Sequence, residues 1–490
     1  MEDLTRLAVE AAKQAGAGYA DARYVRTREE STYTRNGKVE SLASSESRGI
    51  GVRVLADGAW GFAATSDLSR EAVVATARLA VRIGQASATT KKDDARLADC
   101  EPAIDSVVTD FEEDPFGVPL EERISLLLDC DRLMAQAADL AVREGHLRFL
   151  REQQHFASSE GASVYQERTE TGAGIECTAV AEGETQTRSY PGSHGGQTMT
   201  RGWELVEELD LPGHAEEIAQ EAADLLAAPH CESREADLII DGDQLALQVH
   251  ESCGHPIELD RVLGTEASYA GTSFLTPEKL ASGFRYGSEH VTITADATLP
   301  GGLGSFAYDD EGVPGQRVDI VQEGVFCGYL TSRETAPKVG LERSNGTMRA
   351  DGWNAIPLIR MTNINLQPGS WTLDEMIQDM REGFLLRTNS SWSIDDKRLN
   401  FQFGTEIAYR IADGAIAGIV RNPTYTGITP GFWGACDAVA NKDHWVIWGV
   451  PNCGKGEPGQ AAHVGHGVSA ARFRNVRIGV LEEVDRPAED

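Results

Sequence analysis

The segment His250-Glu251-Ser252-Cys253-Gly254-His255 constrains the fold most, because it places two imidazoles and a carboxylate within a short stretch that reads as helix. On a regular α-helix five residues advance about 500°, which leaves the two histidines roughly 140° apart. A single π-type turn, at about 4.4 residues per turn, would bring them within roughly 50° of each other. Gly254 lowers the cost of such an irregularity, and Pro256 ends the helix. The spacing therefore predicts a helix that loosens into a π turn.

The residues before this segment favour a helix that follows a strand. Residues 236–241 have the apolar character of a strand, and Gly242-Asp243 supplies a turn and an N-cap. Leu245, Val249 and Cys253 then recur every fourth residue, which is the period of a buried helical face. Because Cys253 continues this apolar row, we interpret it as a small core residue and not as a metal ligand.

Two histidines and an adjacent carboxylate are residue types that catalytic zinc sites use. Neutral imidazole binds Zn²⁺ well, and a catalytic site uses three protein ligands and leaves a fourth position open. A carboxylate beside a ligand can act as the general base, which is the role predicted for Glu251. The alternative is that His250 is an ordinary core residue and Glu251 a solvated one, and it stays open until a third ligand is found.

Cys453 is the favoured third ligand. It lies in the Gly/Pro-rich segment 451–460, which would hold a thiolate rigidly, and Lys455 is near enough in sequence to favour the ionised form. His463 and His466 are competitors. They rank lower, because a His-x-x-His pair on a strand points to opposite faces.

Four segments in the C-terminal half resemble the TldD/PmbA family of metalloproteases, and specifically its TldD-type catalytic subunit. They are His250-Glu251-x-x-x-His255, Gly304–Gly312 with Gln316-Arg317, Arg360-Met361-Thr362-Asn363, and Cys453-Gly454-Lys455-x-x-x-Gly459-Gln460. The last departs from the expected Cys-Gly-Lys-x-Gly-Gln form, since Glu457-Pro458 lengthens the turn by two residues. The four segments occur in the expected order, which is more specific than the first one alone.

The resemblance implies a ligand set and a base: His250, His255 and the Cys453 thiolate would hold Zn²⁺, and Glu251 would be the general base. The paralogous TldE/PmbA subunit lacks the His-Glu-x-x-x-His motif. The presence of this motif here therefore implies the TldD-type catalytic subunit. The resemblance also implies that C-terminal domains pair in a dimer that encloses the sites. Whether the dimer is a homodimer or a heterodimer with a TldE/PmbA-like subunit stays open.

Four further residues are candidates for contact with the substrate. Arg317 and Lys455 could stabilise the carbonyl oxygen, while Asp309 and Asp310 form an acidic loop that could hold a peptide amino group. Each of them could equally make a structural ion pair. The substrate is expected to be an extended peptide, because only an unfolded segment can enter an enclosed cavity and pair along a sheet edge.

Composition excludes several classes of function. A net charge of −32 disfavours binding to nucleic acid, which requires clustered Lys and Arg. The chain has neither an apolar run of about 18 residues nor a signal-peptide pattern, so we expect no membrane contact and a cytoplasmic location. Eight cysteines without C-x-x-C spacing favour free thiols in a reducing compartment.

The pattern of elements predicts an α+β fold in three domains, at residues 1–100, 101–228 and 229–490. The first two look like a duplicated helix-plus-sheet module, since Gly49-Ile50-Gly51 follows the Asn36-Gly37 turn much as Gly172-Ala173-Gly174 follows Gly161. The third is rich in Gly turns and holds six of the eight tryptophans. Such sequence favours a barrel-like sheet, which would carry the metal-binding helix.

Three functional hypotheses of different classes follow. The first is a zinc metalloprotease that hydrolyses peptide bonds of unfolded or extended peptides inside a dimer-enclosed cavity. The second is a zinc-bearing subunit that stabilises or regulates a partner without hydrolysis. The presence of Glu251 argues against it, because a structural zinc site needs a fourth ligand and no base. The third is a metal-free binding module.

Overall fold

The computed structural model describes residues 1–479, and eight of its strands lie before residue 200. They are β1 (Tyr19–Arg35), β2 (Lys38–Ala56), β3 (Ala59–Thr65), β4 (Ile104–Val108), β5 (Val142–Ser158), β6 (Ser163–Ala181), β7 (Glu184–Tyr190) and β8 (Gln197–Met199). These strands form one sheet in the order β3-β2-β1-β5-β6-β4, and β7 and β8 both pair with β6. Five helices accompany this sheet, and they are α1 (Glu2–Gln14), α2 (Arg70–Ser87), α3 (Leu120–Ala137), α4 (Glu204–Leu209) and α5 (Leu211–Ala227).

The sheet is built from two modules of the same design. In each module a helix precedes a long hairpin and a shorter strand, and helical structure follows: α1, β1–β3 and α2 in the first, α3, β5–β7 and α4–α5 in the second. The modules join where β1 pairs antiparallel with β5. Each keeps its own hydrophobic core, and the first core is rich in alanine. The predicted duplication of a helix-plus-sheet module is confirmed.

The predicted turn at Asn36-Gly37 joins β1 to β2. Both residues have positive φ, +47° and +73°, as a two-residue type I′ turn requires. The two strands that it joins are long, with 17 residues in β1 and 19 in β2. Helices α4 and α5 are separate, because Asp210 between them adopts φ +44° and its side chain caps the first turn of α5.

The C-terminal part contains fifteen further strands among the described residues. They are β9 (Arg234–Ile240), β10 (Ile293–Asp296), β11 (Arg317–Gln322), β12 (Val325–Phe326), β13 (Met348–Arg349), β14 (Leu358–Ile359), β15 (Asn363–Leu366), β16 (Glu382–Ile394), β17 (Asn400–Ala412), β18 (Ala415–Val420), β19 (Thr424–Ile428), β20 (Cys436–Val439), β21 (Val446–Lys455), β22 (Gln460–Val468) and β23 (Ala471–Ile478). The helical segments are α6 (Gly242–Val249), a π turn (His250–Gly254), α7 (Leu259–Val262), α8 (Pro277–Ala281), α9 (Leu373–Gln378), α10 (Thr429–Gly434) and 3-10 turns at His255–Ile257, Ala336–Val339 and Lys442–His444.

Five of these strands close into a barrel. The order is β16-β9-β23-β19-β17, and β17 pairs again with β16, so that the sheet has no free edge within this circuit. A second sheet runs β12-β11-β10-β15-β22-β21 and ends at β21. Helix α6 packs against β16 of the barrel and against β21 and β22 of the second sheet. The prediction of a β-rich, barrel-like domain that carries the candidate metal-binding helix is confirmed.

The apolar row of the candidate metal-binding helix lies in the core of this C-terminal part. Leu245, Val249 and Cys253 are all fully buried in the largest hydrophobic cluster. Cys253 is thus a core residue, as its place in the row predicts.

The predicted domain boundaries fall between elements. Residue 100 lies between α2 and β4, and residue 228 lies directly after α5, whereas residues 480–490 of the predicted third domain lie outside the described part. The boundaries themselves stay a prediction. All eight cysteines have free thiols, and within residues 1–479 no helix is both long and apolar enough to cross a membrane.

Candidate metal centre

The segment that carries the two histidines forms the predicted π turn. Helix α6 continues directly into π-helical geometry over His250–Gly254, and a 3-10 turn over His255–Ile257 then ends it. Gly254 has an ordinary helical φ of −57°, so its conformational freedom is not what the turn requires. Instead, a Cβ at this position would lie 2.2 Å from Sδ of Met361. The glycine is needed because Met361 packs directly against the turn.

Three possible ligand atoms meet at this turn. The donor atoms of His250, His255 and Cys453 all lie within 4.8 Å of one another, and the three side chains are buried. The Cys453 Sγ is 3.8 Å from Nε2 of His255, although 198 residues separate them in the chain. Bonds of 2.0–2.3 Å in tetrahedral geometry would separate zinc ligand atoms by about 3.5 Å. The trio therefore fits such an ion in both donor type and spacing.

A chain of hydrogen bonds determines which nitrogen of His250 faces the other donors. His466 Nδ1 lies 3.2 Å from the carbonyl oxygen of Ile364, which can only accept, so this nitrogen carries a proton. The Nε2 of the neutral His466 must then accept from Nδ1 of His250, at 2.8 Å. This leaves a lone pair on Nε2 of His250, which is the form that binds a metal. Burial and the nearby His250 lower the pKa of His466 well below its usual value, which keeps it neutral.

The Glu258 carboxylate determines which nitrogen of His255 faces the other possible ligands. Its Nδ1 donates to Oε2 of Glu258 at 3.0 Å, which directs Nε2 toward Cys453. Burial alone would raise the pKa of Glu258, but the charge of Lys455, the hydrogen bond from His255 and the charge of Arg360 lower it far below its usual range. Lys455 lies 3.4 Å from Glu258 and 2.7 Å from Asp260, and it is buried. It thus supports the partner of a histidine and does not line the cavity described below.

The Cys453 thiol is favoured as a thiolate, but not by the residue that the sequence suggested. Burial would raise its pKa, yet the neighbouring His255 and Arg360 side chains lower it overall. Arg360 is fully buried and also donates to the carbonyl oxygen of Cys453. Lys455 is engaged elsewhere. Arg360 is the first residue of the Arg360-Met361-Thr362-Asn363 segment, which was recognised as a motif without a role.

Glu251 lines a cavity of about 330 Å³ together with the three possible ligands. Its Oε2 lies 2.5 Å from Nη1 of Arg398, 147 residues away, while its Oε1 has no hydrogen bond to any of residues 1–479. Burial would raise the pKa of Glu251, but the neighbouring His255, His250 and Arg398 side chains lower it overall, which favours the carboxylate form. Trp392, Trp448 and Asn389 form part of the cavity wall.

The other predicted substrate residues do not line this cavity. Asp309 accepts backbone N–H groups of Glu311, Val313 and Met348, and Asp310 pairs with Arg23 at 3.0 Å. The acidic loop is therefore buried against the N-terminal sheet, so it offers no free charge to a peptide amino group. Arg317 is 54% exposed and lies 4.0 Å from Asp319.

The two competing histidines lie on opposite faces of β22. His466 reaches the metal-binding face as the partner of His250, whereas His463 pairs with Glu170 of the N-terminal sheet. Neither belongs to the group of three possible ligands.

Three successive segments of the chain match one family of peptidases. Residues 20–84 match the PmbA/TldA metallopeptidase domain 1, residues 113–228 match its central domain, and residues 233–480 match its C-terminal domain. The chain belongs to the PmbA/TldD family of metallopeptidases. The resemblance inferred from the motifs is thereby confirmed.

Relatives and a solved structure agree with this assignment. A protein named metalloprotease from Methanothermobacter thermautotrophicus is 30% identical, over 94% of this chain and 95% of its own. A protein named zinc metalloprotease TldD homolog from Saccharolobus solfataricus is 23% identical over 96% of this chain and 98% of its own. The crystal structure of TldE from Thermococcus kodakarensis has the same fold, with a TM-score of 0.71 at 17% identity, and covers 97% of this chain and all of that one.

Proposed function

We propose that this protein is a zinc-dependent peptidase that hydrolyses peptide bonds of extended peptides. The observation that carries the proposal is the convergence of His250, His255 and Cys453 on one point of a cavity that also contains the Glu251 carboxylate. Metalloprotease names among the full-length relatives support a peptidase, and one of these names includes zinc.

His250, His255 and Cys453 would hold the zinc, because two neutral imidazoles with oriented Nε2 atoms and a thiolate are ligands that Zn²⁺ prefers. When bound, zinc would supply Lewis acidity to the reaction. Glu251 is the base: its Oε1 takes a proton from the attacking water and later returns it to the leaving nitrogen. The pairing of Oε2 with Arg398 keeps this carboxylate charged before it acts.

The edge of β21 supports an extended peptide as substrate. Residues 448–454 of this terminal strand line the cavity. On its unpaired side, the side-chain amide of Gln197 donates to the Ile447 carbonyl oxygen at 2.8 Å and accepts from the Gly449 N–H at 2.9 Å. The Gln197 amide thus makes the two hydrogen bonds to β21 that a neighbouring strand would make. The backbone of an extended peptide could add further hydrogen bonds of this kind along β21, toward Glu251.

The motif resemblance implies a dimer as the working unit, and we propose one made either of two copies of this chain or of this chain with a TldE/PmbA-like subunit. A cavity of about 330 Å³ is far too small for a folded domain, which supports a substrate that is extended where it is cut.

The test is to isolate the native complex, identify its chains, and assay it on an unstructured peptide with and without a chelator. The Glu251→Gln variant is the matched control, since it keeps the size of the side chain and removes the base. If the Glu251→Gln variant retains zinc but no longer cleaves the peptide, the result supports the peptidase function. Full cleavage by Glu251→Gln contradicts the role of Glu251. A zinc-loaded wild-type complex that cleaves no unstructured peptide favours the regulatory subunit instead, and absence of zinc from the native protein contradicts both.

A further inference from the structure

Arg398 occupies an unusual position at the wall of the cavity. It lies in the connection between β16 and β17, and its backbone adopts φ +61°. The conformation is held in place, since Asp395 accepts the Leu399 N–H at 2.7 Å and Thr429 donates to the Arg398 carbonyl oxygen at 3.0 Å. Strained conformations of non-glycine residues persist where the surroundings fix them, and they cluster at functional sites.

Most of the hydrogen-bonding capacity of Arg398 is unused. A guanidinium has five N–H donors. Nη1 donates to Glu251, Nε is buried without a partner, and Nη2 makes no hydrogen bond to any residue between 1 and 479. The side chain is only 16% exposed and lines the cavity. The charge is therefore directed at the carboxylate, while several donors remain available to a bound molecule.

The neighbouring Arg261 has a structural role, and its contacts differ from those of Arg398. Arg261 is fully buried and donates to the carbonyl oxygens of Thr272, Ala270 and Asp396 as well as to Glu266. It thereby anchors the loop that carries Arg398. Because Arg261 already performs that task, anchoring the loop does not account for the Arg398 side chain, whose one hydrogen-bond partner among residues 1–479 is the carboxylate in the cavity.

We propose that Arg398 is a catalytic residue that donates to the carbonyl oxygen of the scissile peptide bond; this rests on the peptidase function proposed above. In the first step a water oxygen bonds to the carbonyl carbon, one water proton passes to Glu251 Oε1, and the C=O π pair moves onto the carbonyl oxygen. In the second step the electron pair on the oxygen re-forms the C=O bond, the C–N bond breaks and its electron pair leaves with nitrogen, and the proton passes from Glu251 to that nitrogen, which releases a carboxylic acid and an amine.

The geometry makes Arg398 suited to this charge movement. Protonation of Glu251 neutralises the partner of Arg398 at the moment when negative charge appears on the carbonyl oxygen. Arginine stays protonated throughout, so its charge becomes available to the oxygen without any change of its own state. A fixed donor in a site that excludes bulk water stabilises such charge strongly, because little reorganisation is needed.

The test compares Arg398→Ala and Arg398→Lys with the wild-type zinc-loaded complex on an unstructured peptide, and measures kcat, KM and zinc content. The control is Lys397→Ala, since this neighbouring side chain is exposed. For Arg398→Ala we expect kcat to fall by about 10²–10³, the usual loss for one oxyanion donor, with little change in KM or zinc content. Arg398→Lys should retain part of the activity. Millimolar guanidinium chloride should restore part of the kcat of Arg398→Ala, whereas sodium chloride at equal ionic strength should not.

Several outcomes would overturn the proposal. Wild-type activity in Arg398→Ala removes Arg398 from the reaction, and increased activity would mean that it restrains Glu251. Equal inactivity of both variants, without rescue by guanidinium, would assign a structural role. A wild-type complex that cleaves no unstructured peptide would refute the proposed function itself, which distinguishes that failure from a failure of the inference alone.

Discussion

The hydrogen bond from His250 to His466 gives the most direct test of how the candidate metal centre is organised. Replacing His466 with Phe keeps a ring of similar size in a fully buried position and removes the acceptor. His250 Nδ1 then has no partner among the described residues, since its one hydrogen bond, of 2.8 Å, is to His466. The proton either stays on Nδ1 unpaired or moves to Nε2, where it occupies the lone pair that a metal needs.

Either position of the proton on His250 weakens zinc binding, and by a similar amount. A buried donor left without an acceptor costs about 1–3 kcal/mol. Loss of a residue that orients a histidine ligand typically weakens metal affinity by about 10–100-fold, which corresponds to roughly 1.4–2.7 kcal/mol. We therefore expect the zinc dissociation constant of His466→Phe to rise by one to two orders of magnitude.

The assay is competition for zinc with a chromophoric chelator at constant pH, checked by elemental analysis. His463→Phe is the matched control, because it lies on the same strand but contacts Glu170 on the other face. We expect its zinc affinity to equal that of the wild type. Equal affinity in all three proteins would refute the argument that His466 sets the tautomer of His250.

Three further predictions concern stability. Gly254→Ala should destabilise the protein by about 1–3 kcal/mol in urea unfolding, because its Cβ would lie 2.2 Å from Met361 Sδ, and Met361→Ala in the same chain should make the added cost of the alanine smaller. Asp310→Ala should cost about 3–5 kcal/mol by leaving the buried Arg23 unpaired, while kcat on an unstructured peptide stays at the wild-type value if the loop has no contact with substrate. Burial would raise the pKa of Glu170, but His463 and Arg168 lower it from 4.5 to about 2. Since the folded pKa lies below the unfolded one, the stabilisation is present above pH 4.5 and is lost as the pH falls toward 2, by about 3 kcal/mol. Glu170→Gln should lack this part of the acid dependence in unfolding curves recorded across that range, and an unchanged dependence would contradict the assigned shift.

The sequence could predict features whose cause is local. The five-residue spacing of His250 and His255 requires a loosened helical turn, and the π turn over His250–Gly254 provides it. The Asn36-Gly37 pair determines its hairpin turn, and the row of Leu245, Val249 and Cys253 identifies the buried face of its helix.

Features that depend on distant partners were not predicted. No local pattern connects Glu258 with Lys455, or Glu251 with Arg398, because these residues meet only when β16, β17 and β21 are assembled around the helix. For the same reason, the sequence leaves open whether the acidic loop of Asp309 and Asp310 contacts a peptide or makes structural ion pairs. Its partner Arg23 lies 287 residues from Asp310 in the chain, so the charge pattern of the loop alone does not reveal its burial.

The candidate ligands come from two separate sheets of the C-terminal part. His250 and His255 belong to the helix that packs on the barrel, whereas Cys453 belongs to the terminal strand of the second sheet. An ion held by all three would act as a cross-link between those layers, so occupancy of the centre would also change resistance to heat and to digestion by added proteases. Metal supply in the cell would then influence how long the protein persists as well as how fast it works.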